Sequence, residues 1–180
     1  MRPKTVKALV ILGALTLVLP GKAFGSPEAL FEAINERLEY MEPVAAFKLK
    51  HNDPVDDPAR EAVVLKAATR QAVKEGLPAS PVEAFFQAQM NAAKNIQNCW
   101  IARWGKGDPV LQDAPDLKTV VRPQLISLGD KIIKLMADET VTPTDLASYN
   151  ATVNVKCLSP AAKQSVFEAL LQVQNASKAQ

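Results

Sequence analysis

Apolar residues recur at helical spacing through most of this chain, and this periodicity limits the possible folds more than any other feature. Phe31, Ile34 and Leu38 are separated by three and four residues, which places them on one face of a helix. No run of alternating β-branched residues bounded by turn signals interrupts the pattern. The sequence therefore predicts an all-α fold.

Helix-breaking and capping residues divide this pattern into segments. Pro43 should kink or break the first segment, while Ser26, Asp57, Ser80 and Ser159 are expected to cap the helices that follow them. The predicted helices cover residues 27–50, 58–75, 81–104, 117–137, a short stretch after 142, and 160–175. Short connections between them favour a single-domain helical bundle of about six helices.

The first 25 residues have the layout of a secretory signal peptide. A basic segment, residues 1–7, precedes an uncharged apolar run, residues 8–19, and Ala23 and Gly25 are small residues at the −3 and −1 positions of a cleavage site. The alternative is an uncleaved membrane anchor, but the apolar run is shorter than the ~18–20 residues that a spanning helix needs. We expect cleavage after Gly25 and a periplasmic or secreted protein comprising residues 26–180.

Export would change both the net charge and the state of the cysteines. The segment carries four of the 21 basic residues and none of the 19 acidic ones, so the mature chain has 17 basic residues and a net charge of about −2 instead of +2. In an oxidising compartment, Cys99 and Cys157 are expected to form a disulfide. Two separate buried thiols remain the alternative.

Composition excludes several functional classes. The small net charge, without a block of Lys and Arg, argues against a nucleic-acid-binding protein. One His and two Cys cannot supply a His-based metal cluster or a four-cysteine zinc site. No glycine fingerprint of a nucleotide-binding loop is present.

Several charged and polar residues could form a site or could have ordinary structural roles. Arg37 and Lys48 follow apolar stretches and could extend from a buried stripe to solvent. Asp57 could be a helix cap only, and Gln97 a solvated amide. Periodicity alone leaves both interpretations open.

The joint spacing of these residues resembles a known family. It is carried by Glu36-Arg37-Leu38, Pro43-Val44-Ala45-Ala46-Phe47-Lys48, Asp57-Pro58-Ala59-Arg60-Glu61 and the run from Gln89 to Gln97. These segments resemble the all-helical, AroQ-type chorismate mutases, and the export signal with the long C-terminal half is similar to the exported gamma subclass. The resemblance is strongest over residues 31–104 and weaker after 116.

The resemblance implies an enzyme that converts chorismate to prephenate in the biosynthesis of Phe and Tyr. This intramolecular Claisen rearrangement needs neither metal nor cofactor, so we expect none. The enzyme holds a dicarboxylate in a compact conformer and stabilises charge on the breaking ether oxygen. Residues 26–105 would carry most of the site, which lies inside one protomer, and residues 106–180 would form the C-terminal helices. A homodimer is compatible with the resemblance.

The resemblance also assigns roles to individual residues. Arg37 matches an arginine that grips a substrate carboxylate, and Arg122 is the candidate for a second one. Lys48 and Gln97 match the two donors to the ether oxygen, with Lys48 also reaching a carboxylate. The remaining matches are Asp57 and Glu61 at the ring hydroxyl, Arg60 in the pocket wall, and Ala93, where many relatives have Ser or Thr.

A hypothesis from another class is an exported helical binding or adaptor protein that keeps the fold without catalysis. Ala93 gives a reason to consider it, because alanine cannot donate a hydrogen bond to a carboxylate. A purely structural bundle would leave the joint spacing of the charged residues unexplained. Turnover of chorismate would distinguish the enzyme from the binding protein.

Overall fold

The computed structural model describes residues 27–179, and these are helical with no β-strand among them. Seven α-helices follow in chain order: α1 Glu28–Glu39, α2 Met41–His51, α3 Pro58–Lys74, α4 Ala79–Trp104, α5 Arg122–Asp138, α6 Leu146–Thr152 and α7 Pro160–Lys178. The all-α prediction is confirmed. The predicted signal peptide and the expected cap at Ser26 lie outside the described residues.

The first predicted helix is interrupted three residues earlier than the sequence indicated. The break lies at Tyr40, between α1 and α2, and Pro43 is the third residue of α2. A proline is tolerated in the first turn of a helix because the N–H groups there have no intrahelical acceptor. The predicted break is therefore present, but it lies at Tyr40, and Pro43 itself is helical.

The other helix boundaries lie close to their predicted positions. The Asp57 carboxylate accepts a bond from the Arg60 N–H and the Ser159 hydroxyl from the Ala162 N–H, so both predicted caps are confirmed. By contrast, α4 begins at Ala79 without a side-chain cap from Ser80. A turn of π-helix, Leu117–Val121, precedes α5, and α7 extends three residues beyond 175.

The longest helix, α4, lies at the centre of the packing. It contacts α7 on one side and α2 and α3 on another, while α1 packs against α5 and α6. Phe31 and Phe167 both pack against the ring of Tyr149, with centroids 5.3 and 4.9 Å away. This apolar cluster joins α1, which lines the cavity described below, to α6 and α7.

A disulfide joins the C-terminal part of α4 to the segment before α7. Cys99 and Cys157 are bonded, with their Cα atoms 5.7 Å apart. The predicted pairing is confirmed, and two separate thiols are excluded. Trp100 and Trp104 are buried and stacked, with centroids 5.7 Å apart, so they belong to the core. None of the helices within residues 27–179 has the length and apolarity required to cross a membrane.

Candidate active site

One cavity of about 230 Å³ is enclosed by α1 to α5 and the segments that precede α3 and α5. Every residue that the sequence analysis placed in the site lines it: Arg37, Lys48, Asp57, Arg60, Glu61, Ala93, Gln97 and Arg122. These residues come from five helices or their caps and lie up to 85 positions apart in the chain. The bundle therefore brings the predicted set together.

Arg37 supplies a buried positive charge at this cavity. It lies in the last turn of α1, its side chain is almost fully buried, and Nη1 donates to Gln89 Oε1 at 2.9 Å. The guanidinium also lies 5.6 Å from the centroid of the Phe86 ring, while Nε has no hydrogen-bond partner. Burial lowers the pKa of Arg37 to about 10, which leaves it protonated at neutral pH. A buried cation without a carboxylate partner is suited to binding an anion.

Lys48 approaches the cavity from the last turn of α2. Its Nζ donates to the backbone carbonyl of Val55 at 2.8 Å, across the turn that connects α2 with α3. Partial burial lowers the pKa of Lys48, while the charge of Asp57 opposes this shift. The ammonium retains two further N–H donors that a ligand could use.

Asp57, Arg60 and Arg122 form the part of the cavity wall where α3 and α5 approach each other. Arg122 Nη2 lies 3.9 Å from Asp57 Oδ2, a distance at the long end of an ion pair. Burial and the nearby charge of Arg122 lower the pKa of Arg60. Two arginines whose charges repel each other, with one carboxylate between them, leave excess positive charge for a ligand.

Glu61 is paired with a lysine that the sequence analysis did not select. Lys94 Nζ lies 3.3 Å from Glu61 Oε1 and 3.3 Å from Asp56 Oδ1. Burial alone would lower the pKa of Lys94, but hydrogen bonds with both carboxylates outweigh it and raise that pKa. Lys94 directly follows Ala93 on α4. Its position next to a predicted site residue could have identified Lys94 from the sequence.

Gln97 lies one helical turn after Ala93, and both are buried. Its Nε2 donates to the Ala93 carbonyl at 3.2 Å and lies 3.6 Å from Met41 Sδ, but Oε1 has no partner. The Ala93 methyl group lines the cavity and offers no donor. Of these two residues, only Gln97 has a side chain that can donate a neutral N–H group to a ligand.

Apolar side chains complete the cavity and mark its entrance. Val44, Phe86 and Met90 line its interior. Val63 on α3 and Ile126 on α5 also line it, yet they are 55% and 53% exposed, so the opening lies between these two helices. Within residues 27–179, no three His, Cys, Asp or Glu side chains converge as a metal site requires. The arrangement suits an anionic ligand with an apolar body.

Known proteins share this fold and much of this sequence. Residues 28–98 match the family "Chorismate mutase type II". A "Monofunctional chorismate mutase" of Enterobacter agglomerans is 31% identical over 150 residues, which cover 81% of this chain and 82% of that protein. A "Secreted chorismate mutase" of Yersinia pestis is 33% identical over 146 residues, covering 78% and 77%.

The similarity extends to solved structures. The crystal structure of the secreted chorismate mutase from Yersinia pestis superposes with a TM-score of 0.75 at 31% identity, covering 79% of this chain and 95% of that one. The chorismate mutase from Burkholderia thailandensis gives 0.67 at 29% identity, covering 81% and 97%. Because relatives above 30% identity align over most of their own length, this chain belongs to the type II, all-helical chorismate mutase family.

Proposed function

We propose that the cavity enclosed by helices α1 to α5 binds chorismate and catalyses its rearrangement to prephenate. One C–O bond breaks and one C–C bond forms within a single molecule, so no proton, electron or group passes to the protein. The protein has to hold the substrate in a compact conformer and stabilise negative charge that develops on the ether oxygen. Cations and neutral donors around an apolar interior are suited to both tasks.

The two carboxylates of the substrate would be bound by cations at different sides of the cavity. We assign one to Arg37, whose guanidinium can form bidentate contacts with a carboxylate. Arg122 and Arg60 would hold the other, with Arg122 exchanging its long contact with Asp57 for the substrate. This assignment uses the excess positive charge of the residues that line the cavity.

The ether oxygen would lie between Lys48 and Gln97. Lys48 contributes a charged donor and Gln97 a neutral one, once Nε2 turns from the Ala93 carbonyl towards the ligand. Glu61 and the start of α3 at Asp57 would accept and support the ring hydroxyl. Ala93 contributes shape only, so a backbone group or a water molecule would have to replace the hydroxyl that many relatives have there.

One observation carries this proposal: Arg37 is almost fully buried at the cavity, and no carboxylate within the described residues pairs with it. Burying a guanidinium without an anionic partner is costly, and apolar residues of similar volume would avoid the cost. A purely structural bundle therefore has no need for Arg37. An enzyme that binds a dianion does.

The test is a direct assay of the purified exported protein. We expect it to remove the ultraviolet absorbance of chorismate and to form prephenate, which acid converts to phenylpyruvate. The absence of conversion at micromolar enzyme would overturn the proposal. Binding of chorismate without conversion would instead favour the exported binding protein.

We further propose that residues 1–25 direct export and are removed after Gly25, leaving residues 26–180 as one helical domain. The secreted relatives from Yersinia pestis and Mycolicibacterium smegmatis support export, and the disulfide suits an oxidising compartment. N-terminal sequencing of the exported protein should begin at Ser26. Since all proposed site residues belong to one chain, we expect a monomer and a homodimer to be equally competent.

A further inference from the structure

Gln89 lies behind the cavity and contacts the guanidinium that faces it. This side chain projects from α4, is fully buried, and accepts a hydrogen bond from Arg37 at 2.9 Å. It does not line the cavity itself, and it was not among the residues selected from the sequence. Gln89 is thus a buried polar residue for which the proposed reaction has no direct use.

The chemistry of the contact fixes how the Gln89 amide is oriented. A guanidinium has five N–H donors and no acceptor, so only the amide oxygen can face it. Nε2 then points away and has no hydrogen-bond partner among the described residues. Leaving a buried N–H group unpaired is unfavourable. Gln89 is therefore retained at a cost that a purely apolar core position would not carry.

Two kinds of residue, apolar or acidic, would avoid that cost. A methionine or leucine would fill the space without an unpaired donor, but it would leave the Arg37 side chain without an acceptor. A glutamate of almost the same shape would bind the guanidinium more strongly, but its charge would cancel that of Arg37. Glutamine alone among these orients the guanidinium and leaves its full positive charge directed at the cavity.

We propose that Gln89 is a positioning residue that holds Arg37 through a neutral acceptor, so that the charge of Arg37 stays available to a substrate carboxylate. This inference rests on the proposed function of the cavity. Two variants test this role directly. A neutral acceptor predicts that Gln89→Glu is more harmful than Gln89→Met, whereas a residue that only fills space predicts the reverse.

The experiment compares Gln89→Glu and Gln89→Met by steady-state kinetics on chorismate, with thermal unfolding of each. If neutrality matters, Gln89→Glu should raise KM roughly 10-fold or more and exceed the effect of Gln89→Met, because the new carboxylate occupies Arg37. If Gln89 only fills space, the near-isosteric Gln89→Glu should be the milder variant. The matched control is Gln87→Glu, which adds the same charge to α4 at a half-buried position that does not line the cavity.

The expected result also includes stability. Gln89→Glu should unfold at no lower temperature than the wild type, since it adds a partner to a buried cation, so its raised KM cannot be ascribed to damaged packing. A KM within about twofold of the wild type in folded Gln89→Glu, or a larger effect in Gln89→Met, would overturn the inference while the proposed function stands. If the wild type itself did not convert chorismate, both would fall.

Discussion

The two sides of α4 use polar groups in different ways. On the side that faces α7, Cys99 is bonded to Cys157, and the Asn95 Oδ1 accepts a hydrogen bond from the Ser159 N–H at 2.9 Å. On the side that faces the cavity, Gln97 Oε1 is buried without a partner. The disulfide and this hydrogen bond stabilise the α7 side, whereas on the cavity side the unpaired Gln97 Oε1 leaves the amide able to turn towards a ligand.

Side chains on the two sides of α4 should therefore contribute to different properties of the protein. Side chains that have all their hydrogen-bond partners within the protein itself contribute to its stability. Side chains whose partners are missing lower that stability and become favourable only when a ligand supplies them. Substitutions on the α7 side should therefore change mainly the free energy of unfolding, and substitutions on the cavity side mainly kcat/KM.

The largest effect is expected on the α7 side, from removal of the disulfide. Replacing both Cys99 and Cys157 by serine should lower the free energy of unfolding by about 4 kcal/mol, because the bond closes a long loop in the unfolded chain. Urea denaturation measures this loss. The same preparation should keep kcat/KM within about twofold. A variant as stable as the wild type, or one that is stable but inactive, would contradict the separation of the two sides.

On the cavity side, Arg37→Ala and Lys48→Ala should each reduce kcat/KM by roughly 10²-fold or more, the scale of losing one donor to the transition state. The helical circular dichroism should be unchanged. Lys50→Ala is the matched control for Lys48→Ala because Lys50 is exposed on the same helix. Equal kinetics for the Lys48 and Lys50 variants would show that Lys48 has no special role.

Arg122→Ala should have a smaller effect, a reduction of about 10-fold in kcat/KM, mainly through KM, because Arg60 remains nearby to bind the same carboxylate. Lys131→Ala, an exposed position on the same helix, is the control for the loss of one positive charge from α5. Unchanged kinetics of the Arg122 variant would remove this arginine from the proposed site.

A smaller effect still is expected for the contact between Lys94 and Glu61. Lys94→Met and Glu61→Gln should each lower kcat/KM roughly 3- to 10-fold, and the double variant should lose less than the product of the two, because the residues act as a pair. Steady-state kinetics of all four proteins completes the cycle. Additive losses would mean that Lys94 does not act through Glu61.

The smallest change is expected from pH. Gln97 donates without a titrating proton, so kcat/KM should not fall through this residue between mildly acidic pH and neutrality. The decline should come on the alkaline side, as Lys48, whose pKa partial burial lowers, loses its charge. Gln97→Glu should instead lose activity as pH rises, because only the protonated acid can donate. A steep loss in the wild type that follows one carboxyl group would contradict the role of Gln97.

The helices were predicted from local periodicity and capping residues, whereas the candidate site was predicted from the resemblance to a family. Caps such as Asp57 and Ser159 act locally, so their effect on the chain is visible in a few residues. The break at Tyr40 was missed because Pro43 is compatible with a kink in a helix and with the first turn of the next one. The choice between them depends on packing that the local sequence does not contain.

The same limit applies to the side chains that support the site. Gln89, Ala93 and Gln97 recur every four residues on α4, a spacing that could have indicated a shared face. It could not indicate that Arg37, 52 positions earlier, would lie against Gln89. Contacts between helices that are far apart in the sequence form only in the assembled bundle. A residue such as Gln89, which acts on the site only by holding Arg37, belongs to no motif that the sequence could reveal.

The stacked tryptophans should make intrinsic fluorescence a probe of one side of α4 and not of the other. Trp100 and Trp104 are the chain's two indoles, and neither lines the cavity. Two cations contact the Trp100 ring, Arg103 at 5.5 Å and Lys156 at 4.6 Å from its centroid, and Lys156, next to Cys157, is held in place by the disulfide. Intrinsic fluorescence should therefore respond to reduction of the protein while reporting little of ligand binding. Binding is better followed through the absorbance of the substrate.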